Sequence, residues 1–86
     1  MYYSTLIALL STATVFGVLA RELRKARLAA GLTQEKLAAK ANVSREYVNY
    51  IERGKRQPTV GMFVRLCKAM GLHPPDVLES ILRSKQ

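Results

Sequence analysis

Residues 33–54, T-Q-E-K-L-A-A-K-A-N-V-S-R-E-Y-V-N-Y-I-E-R-G, decide how the rest of the chain is read. Over 34–41, Leu37, Ala38 and Ala41 recur at helical spacing while Lys36 and Lys40 fall on the other face. Thr33 stands just ahead, where a hydroxyl can accept one of the N–H groups that a helix start leaves unpaired. Asn42 interrupts the pattern, and asparagine is among the few residues that tolerate a left-handed backbone. Val43 is a single apolar residue suited to plug the corner. Ser44 caps a second helix, which buries Val48 and Ile51 and stops at Gly54, a residue suited to the left-handed position just past a helix. Two short helices joined by a tight turn make a helix-turn-helix, and the second helix is the one that enters the major groove of DNA in such a unit.

The run over 32–59, L-T-Q-E-K-L-A-A-K-A-N-V-S-R-E-Y-V-N-Y-I-E-R-G-K-R-Q-P-T, resembles the Cro/C1 (XRE-type) family of DNA-binding proteins. Thr-Gln at the head of the first helix, Ile-Glu-Arg-Gly-Lys at the end of the second and Pro58 soon after carry more of that resemblance than the bare motif does. The likeness extends from about residue 16 to about residue 82. It departs at Asn42, where the family often has glycine, and at Gly61, where it often has an acidic helix former; both substitutions are tolerable. The resemblance implies an all-α, five-helix, lambda-repressor-like domain that binds double-stranded DNA in the major groove. It further implies a dimeric transcriptional regulator on a two-fold operator, placed in the cytoplasm with the nucleoid. Within the family, the run from Ser44 to Pro58 looks most like the restriction–modification controller group.

Composition fits that expectation independently. The chain has 86 residues, enough for one domain with a modest core and no staples. Fourteen Lys and Arg against six Asp and Glu give a formal charge of +8, and every charged residue lies from Arg21 onward. A domain this basic expects a polyanion, either nucleic acid or an anionic membrane surface. The single cysteine, Cys67, excludes an internal disulfide and suits a reducing compartment. His73 stands alone beside two prolines, no Cys/His cluster has metal-ligand spacing, and no glycine loop is built to cradle a phosphate. The expectation is therefore no enzyme, no metal and no cofactor.

Residues 1–20, M-Y-Y-S-T-L-I-A-L-L-S-T-A-T-V-F-G-V-L-A, are uncharged and largely apolar. Their length is near the ~20 residues that span a bilayer, and the Arg21, Arg24, Lys25 and Arg27 that follow would leave the remainder in the cytoplasm. Five Ser and Thr residues dilute the run. Family members begin their first helix with an apolar-Gly-x-apolar pattern like Phe16-Gly17-Val18-Leu19, which divides the chain into an extension over 1–15 and a domain over 16–86. Three readings of the extension stand: an apolar helix packed on the domain or on a second subunit, a single membrane anchor, or a start codon set too far upstream. The packed helix is preferred, because an exposed apolar segment would promote aggregation.

The other helices follow from apolar spacing. The first runs over 18–30 with Leu19, Leu23 and Ala26 inside; Gly31 ends it and Leu32 returns to the core. Thr59 caps a helix over 60–70 whose apolar face is Phe63, Leu66, Cys67 and Met70. Gly71 stops it, His73-Pro74-Pro75 turns the chain, and Asp76 suits the first turn of a last helix ending at about residue 83. That helix carries Val77, Leu78, Ile81 and Leu82, which either form a homodimer surface or only close the monomer core; the N-terminal segment is the other candidate for the dimer.

The candidate site lies around the second helix of the motif. Arg45 has the fork that pairs with guanine, Glu46 either accepts from cytosine N4 or orients Arg45, Asn49 suits a bidentate contact to adenine, and Tyr50 can press on a thymine methyl. Ser44, Arg53, Lys55 and Arg56 are candidates for phosphates, and Tyr47 is divided between a phosphate contact and a half-buried ring. The family resemblance adds Gln34 as a phosphate-clamping glutamine. It also implies an ion pair between Arg27 and Glu52, against the plainer reading of Arg27 as a solvated phosphate contact. A rival of another class remains: an antitoxin-type or membrane-tethered protein-interaction module on the same fold.

Overall fold

A computed structural model of the chain describes residues 12–83, with side chains from residue 17 onward. Five helices follow one another: α1 Thr12–Ala29, α2 Gln34–Ala41, α3 Arg45–Glu52, α4 Val60–Ala69 and α5 Pro74–Arg83. No strand occurs among the described residues. The fold class is all-α, as the helical spacing implied.

The helix ends are set by local chemistry. Thr33, Ser44 and Thr59 are extended residues whose hydroxyls accept the N–H of Lys36 (3.0 Å), Tyr47 (3.0 Å) and Met62 (3.1 Å). Each cap contributes about 1 kcal/mol relative to alanine. At the other end of α2, Asn42 takes φ 57° and ψ 49°. Its N–H and that of Val43 then turn back to the carbonyls of Ala39 (3.3 Å) and Ala38 (2.9 Å), which closes the helix and drops Val43 against the core. Gly54, at φ 71°, closes α3 in the same manner, with bonds from its own N–H to Ile51 (3.1 Å) and from Lys55 to Tyr50 (2.9 Å).

One boundary differs by more than a residue. The first helix begins six residues before the expected residue 18, so the division drawn between 15 and 16 falls inside a continuous helix. Its expected start rested on where charge and the apolar stripe begin. Helix continuity needs only the absence of a breaker, and 12–17 contains no proline. Gly17 is the weak point of that stretch, costing up to ~1 kcal/mol against alanine. Residues 1–11, which hold most of the apolar extension, lie outside the described residues, and the three readings of it with them. Among the described residues, no helix is long and apolar enough to cross a membrane.

The core has two parts. Leu23, Leu37, Ala38, Ala41, Val48, Ile51, Leu66 and Met70 join α1 to the two motif helices and α4. Val18, Cys67, Val77 and Ile81 join α1 and α4 to α5. Of the stripe expected on α1, Leu23 is buried while Leu19 and Ala26 lie at the margin; Val18, Ala20 and Arg27 are buried as well. Ala20 is covered because the end of α3 sits close by. A Cβ placed on Gly54 would stand 4.0 Å from that of Ala20, an ordinary contact. α3 packs on both α1 and α2, and these contacts set its direction.

Candidate nucleic-acid interface

The spacing of α3 sorts its side chains. Val48 and Ile51 are buried, which turns Arg45, Glu46, Tyr50 and Arg53 to solvent and leaves Asn49 and Glu52 partly covered beside α2. Arg45 and Glu46 open the helix directly after the Ser44 cap, itself exposed. The expected base-reading residues therefore share one surface, with Asn49 at its edge.

The basic loop is tied to the same helix. The Tyr50 carbonyl accepts from the N–H of Lys55 (2.9 Å) and of Arg56 (3.3 Å). Both side chains are exposed. The Arg56 guanidinium lies over the Tyr47 ring, 6.0 Å from its centroid, within the range of a cation–π contact. Tyr47 is half-buried and packs against the larger core cluster. The ring thus serves as a platform for Arg56, a role the sequence reading did not contain. Buried Pro58 then directs the chain into α4.

Arg27 and Glu52 meet. Arg27 Nε donates to Glu52 Oε2 at 2.7 Å and Nη2 to Oε1 at 3.0 Å, a two-pronged pairing; Nη1 donates to the Leu32 carbonyl at 2.9 Å. The two side chains are 9% and 4% exposed, so the pair is buried between α1 and α3 rather than solvated. Gln34 joins it. Its Nε2 donates to Glu52 Oε1 (3.1 Å) and to Asn49 Oδ1 (3.4 Å). An amide nitrogen carries two hydrogens, so both are engaged inside the protein. These two bonds were missed. A signal for them existed: Asn49 and Glu52 stand three apart and so share a helix face. No buried side-chain nitrogen or oxygen among the described residues lacks a hydrogen-bond partner.

The four apolar residues of α5 separate into pairs. Val77 and Ile81 are buried in the smaller core cluster, so they leave the expected dimer surface; Leu78 and Leu82 are 50% and 52% exposed. The reason is that α1 and α4 both pack on α5 and cover one half of its wide stripe. Leu78 borders an open groove of about 220 Å³ shared with Leu19, Val60 and Phe63. The thiol and the imidazole of the chain lie outside this surface. Cys67 is fully buried, and burial pushes its thiol up to about 11. His73 is exposed. Among the described residues, no group of His, Cys, Asp and Glu is placed to hold a metal.

The family model described as Helix-turn-helix matches residues 23–77. The chain is 34% identical over 65 residues to Control protein C.BamHI of Bacillus amyloliquefaciens, covering 76% of this chain and 78% of that one. The crystal structure of the restriction-modification controller protein C.AhdI from Aeromonas hydrophila matches with a TM-score of 0.70 and 32% identity, over 72% of this chain and 94% of its own. The restriction-modification controller protein C.Esp1396I, crystallised as a tetramer in complex with its natural 35 base-pair operator, matches with a TM-score of 0.77 and 28% identity, over 83% and 93%.

Proposed function

The chain belongs to the Cro/C1 (XRE-type) helix-turn-helix family, and on that premise we propose that it is a transcriptional regulator of controller type, binding a two-fold DNA operator as a dimer. The observation that carries this reading is the exposed face of α3. Arg45, Glu46 and Tyr50 point outward from a helix whose other side is anchored by Val48 and Ile51. Such a face, set beside a second helix N-terminus and a basic loop, is what a major groove accepts.

In this reading Arg45, Glu46, Asn49 and Tyr50 meet base edges. Ser44, Tyr47, Arg53, Lys55 and Arg56 meet phosphates, and Gln34 does so through its backbone N–H at the start of α2, its side-chain donors being engaged with Glu52 and Asn49. The relative solved on its operator, C.Esp1396I, supports DNA as the partner and more than one copy as the working unit. Leu78 and Leu82, with the groove at Val60 and Phe63, are the apolar surface we assign to the second copy. Two copies place their α3 helices in half-sites about one DNA turn apart, ~34 Å. Occupancy of the operator then blocks or recruits polymerase.

The test is competitive gel shift of the purified protein against genomic fragments at ~150 mM salt, where non-specific affinity is weak. A fragment that outcompetes bulk DNA by two or more orders of magnitude is the expected result. If every fragment competes no better than bulk DNA, the reading as a specific regulator fails.

A further inference from the structure

The order of hydrogen bonds from the buried ion pair to the reading face has a direction. Glu52 meets Arg27 with both oxygens, and its ionised carboxylate only accepts hydrogen bonds. The Gln34 atom facing Glu52 Oε1 at 3.1 Å is therefore the amide nitrogen, Nε2. Its second hydrogen points at Asn49, so the Asn49 atom facing it at 3.4 Å is the carbonyl oxygen, Oδ1. The Asn49 nitrogen is then left on the other side of its amide. Polarity passes in this way from charge to amide to amide, across four side chains, Arg27 on α1, Glu52 and Asn49 on α3 and Gln34 on α2.

We propose that the Arg27–Glu52 pair, acting through Gln34 as a positioning residue, fixes the Asn49 amide with its NH2 toward the DNA, so that Asn49 selects guanine. The inference rests on the DNA-binding reading above. Guanine presents two adjacent acceptors in the major groove, N7 and O6, one for each amide hydrogen. Adenine presents an acceptor and a donor, and needs the asparagine oxygen as well as the nitrogen. That oxygen is turned to Gln34. The bidentate adenine contact that asparagine ordinarily suggests is thus disfavoured here, and cytosine, which presents only a donor at N4, is rejected. Gln34 acts on base choice without touching a base.

The experiment is binding-site selection from random duplex DNA with the full chain, followed by affinity measurement on single-base variants of the selected site. Wild type is expected to prefer guanine over adenine at one position per half-site by about tenfold. Asn49→Asp, which keeps the shape but turns an acceptor to the groove, shifts that position to cytosine. Gln34→Ala releases the Asn49 amide to rotate, and the guanine-to-adenine ratio falls to within about twofold, with the other positions of the site unchanged. If Gln34→Ala instead weakens all sequences alike and leaves the guanine-to-adenine ratio unchanged, the Gln34 side chain serves only the backbone and the inference is overturned. Preference for adenine by the wild type overturns it as well. Side-chain amide exchange, followed by NMR in the free protein, reads the polarity without DNA. The Gln34 NH2 protons are expected to exchange slowly and those of Asn49 at the solvent rate; the reverse order refutes the relay even for a variant that binds poorly. A wild type that selects no site at all removes the DNA reading itself, and is told apart from the other outcomes because the unmutated chain then fails.

Discussion

Removing Glu52 tests the centre of the molecule. Glu52→Ala leaves the Arg27 guanidinium 9% exposed with the Leu32 carbonyl as its remaining acceptor, and deprives Gln34 of its nearer one. Breaking a buried pair by deleting one partner costs about 3–5 kcal/mol, because a desolvated charge is stranded. A domain of this size is stable by roughly 5–10 kcal/mol, so the variant loses a large share of its stability. At 4–8 °C per kcal/mol for a small domain, the melting temperature falls by on the order of 20 °C. Replacing both partners by apolar residues, Arg27→Met with Glu52→Leu, strands no charge and is expected to remain within about 1 kcal/mol of wild type. Urea unfolding followed by helical circular dichroism measures both variants. The result that refutes the reasoning is a loss below ~1 kcal/mol for Glu52→Ala, which is the behaviour of an exposed pair. A double variant as unstable as the single one refutes it too, since the cost then comes from lost packing rather than from an unpaired charge.

Other outcomes follow from the same geometry. Arg45→Ala should relax base preference at one position per half-site at a cost of about 1–3 kcal/mol, measured by anisotropy on single-base operator variants; an equal loss on every sequence counts against a reading role. Lys55→Ala should weaken all sequences alike and reduce the salt slope by about one unit, and an unchanged slope excludes Lys55 from the phosphate set. Cys67 has a folded pKa near 11, above its ordinary value near 9.0. Its neutral form stabilises the fold fully well below pH 9, and on the order of 2 kcal/mol is lost as pH rises from about 9 toward 11, because the unfolded thiol ionises first. Comparing the alkaline unfolding of wild type and Cys67→Ala isolates that loss, which the alanine variant should lack. Leu78→Asp should leave the fold intact, since the side chain is 50% exposed, and should shift the protein toward monomer in sedimentation.

What the sequence disclosed, and what it withheld, follows the range of the forces involved. Thr33, Ser44, Asn42 and Gly54 were legible because a cap or a left-handed stop is settled within four residues of chain. Val48 and Ile51 were legible because a helix with two strongly apolar positions three apart has one face to bury. The halves of α5 were not separable. Val77 and Ile81 differ from Leu78 and Leu82 only in which side α1 and α4 cover, and that is decided by distant chain. The start of α1 was hidden because helices continue by default where nothing breaks them. Gln34 was placed at the interface from resemblance, but the direction of its amide depends on Glu52, eighteen residues away. Arg56 over Tyr47 depends on the bonds that fold the loop after Gly54 back onto the Tyr50 carbonyl.

The sorting of α3 also bears on how such a protein changes over generations. Arg45, Glu46 and Tyr50 are exposed and outside the core, so exchanging them disturbs stability by about 0.5 kcal/mol or less. With those residues reading bases as proposed, a lineage can sample new operators at the three positions while the scaffold stays folded. Asn49 is under a different constraint: it is tied through Gln34 to the pair that holds the helices together, and a change there calls for a matching change on α2. On the proposed reading, drift in target preference should accordingly be fast at Arg45, Glu46 and Tyr50 and correlated with residue 34 at Asn49.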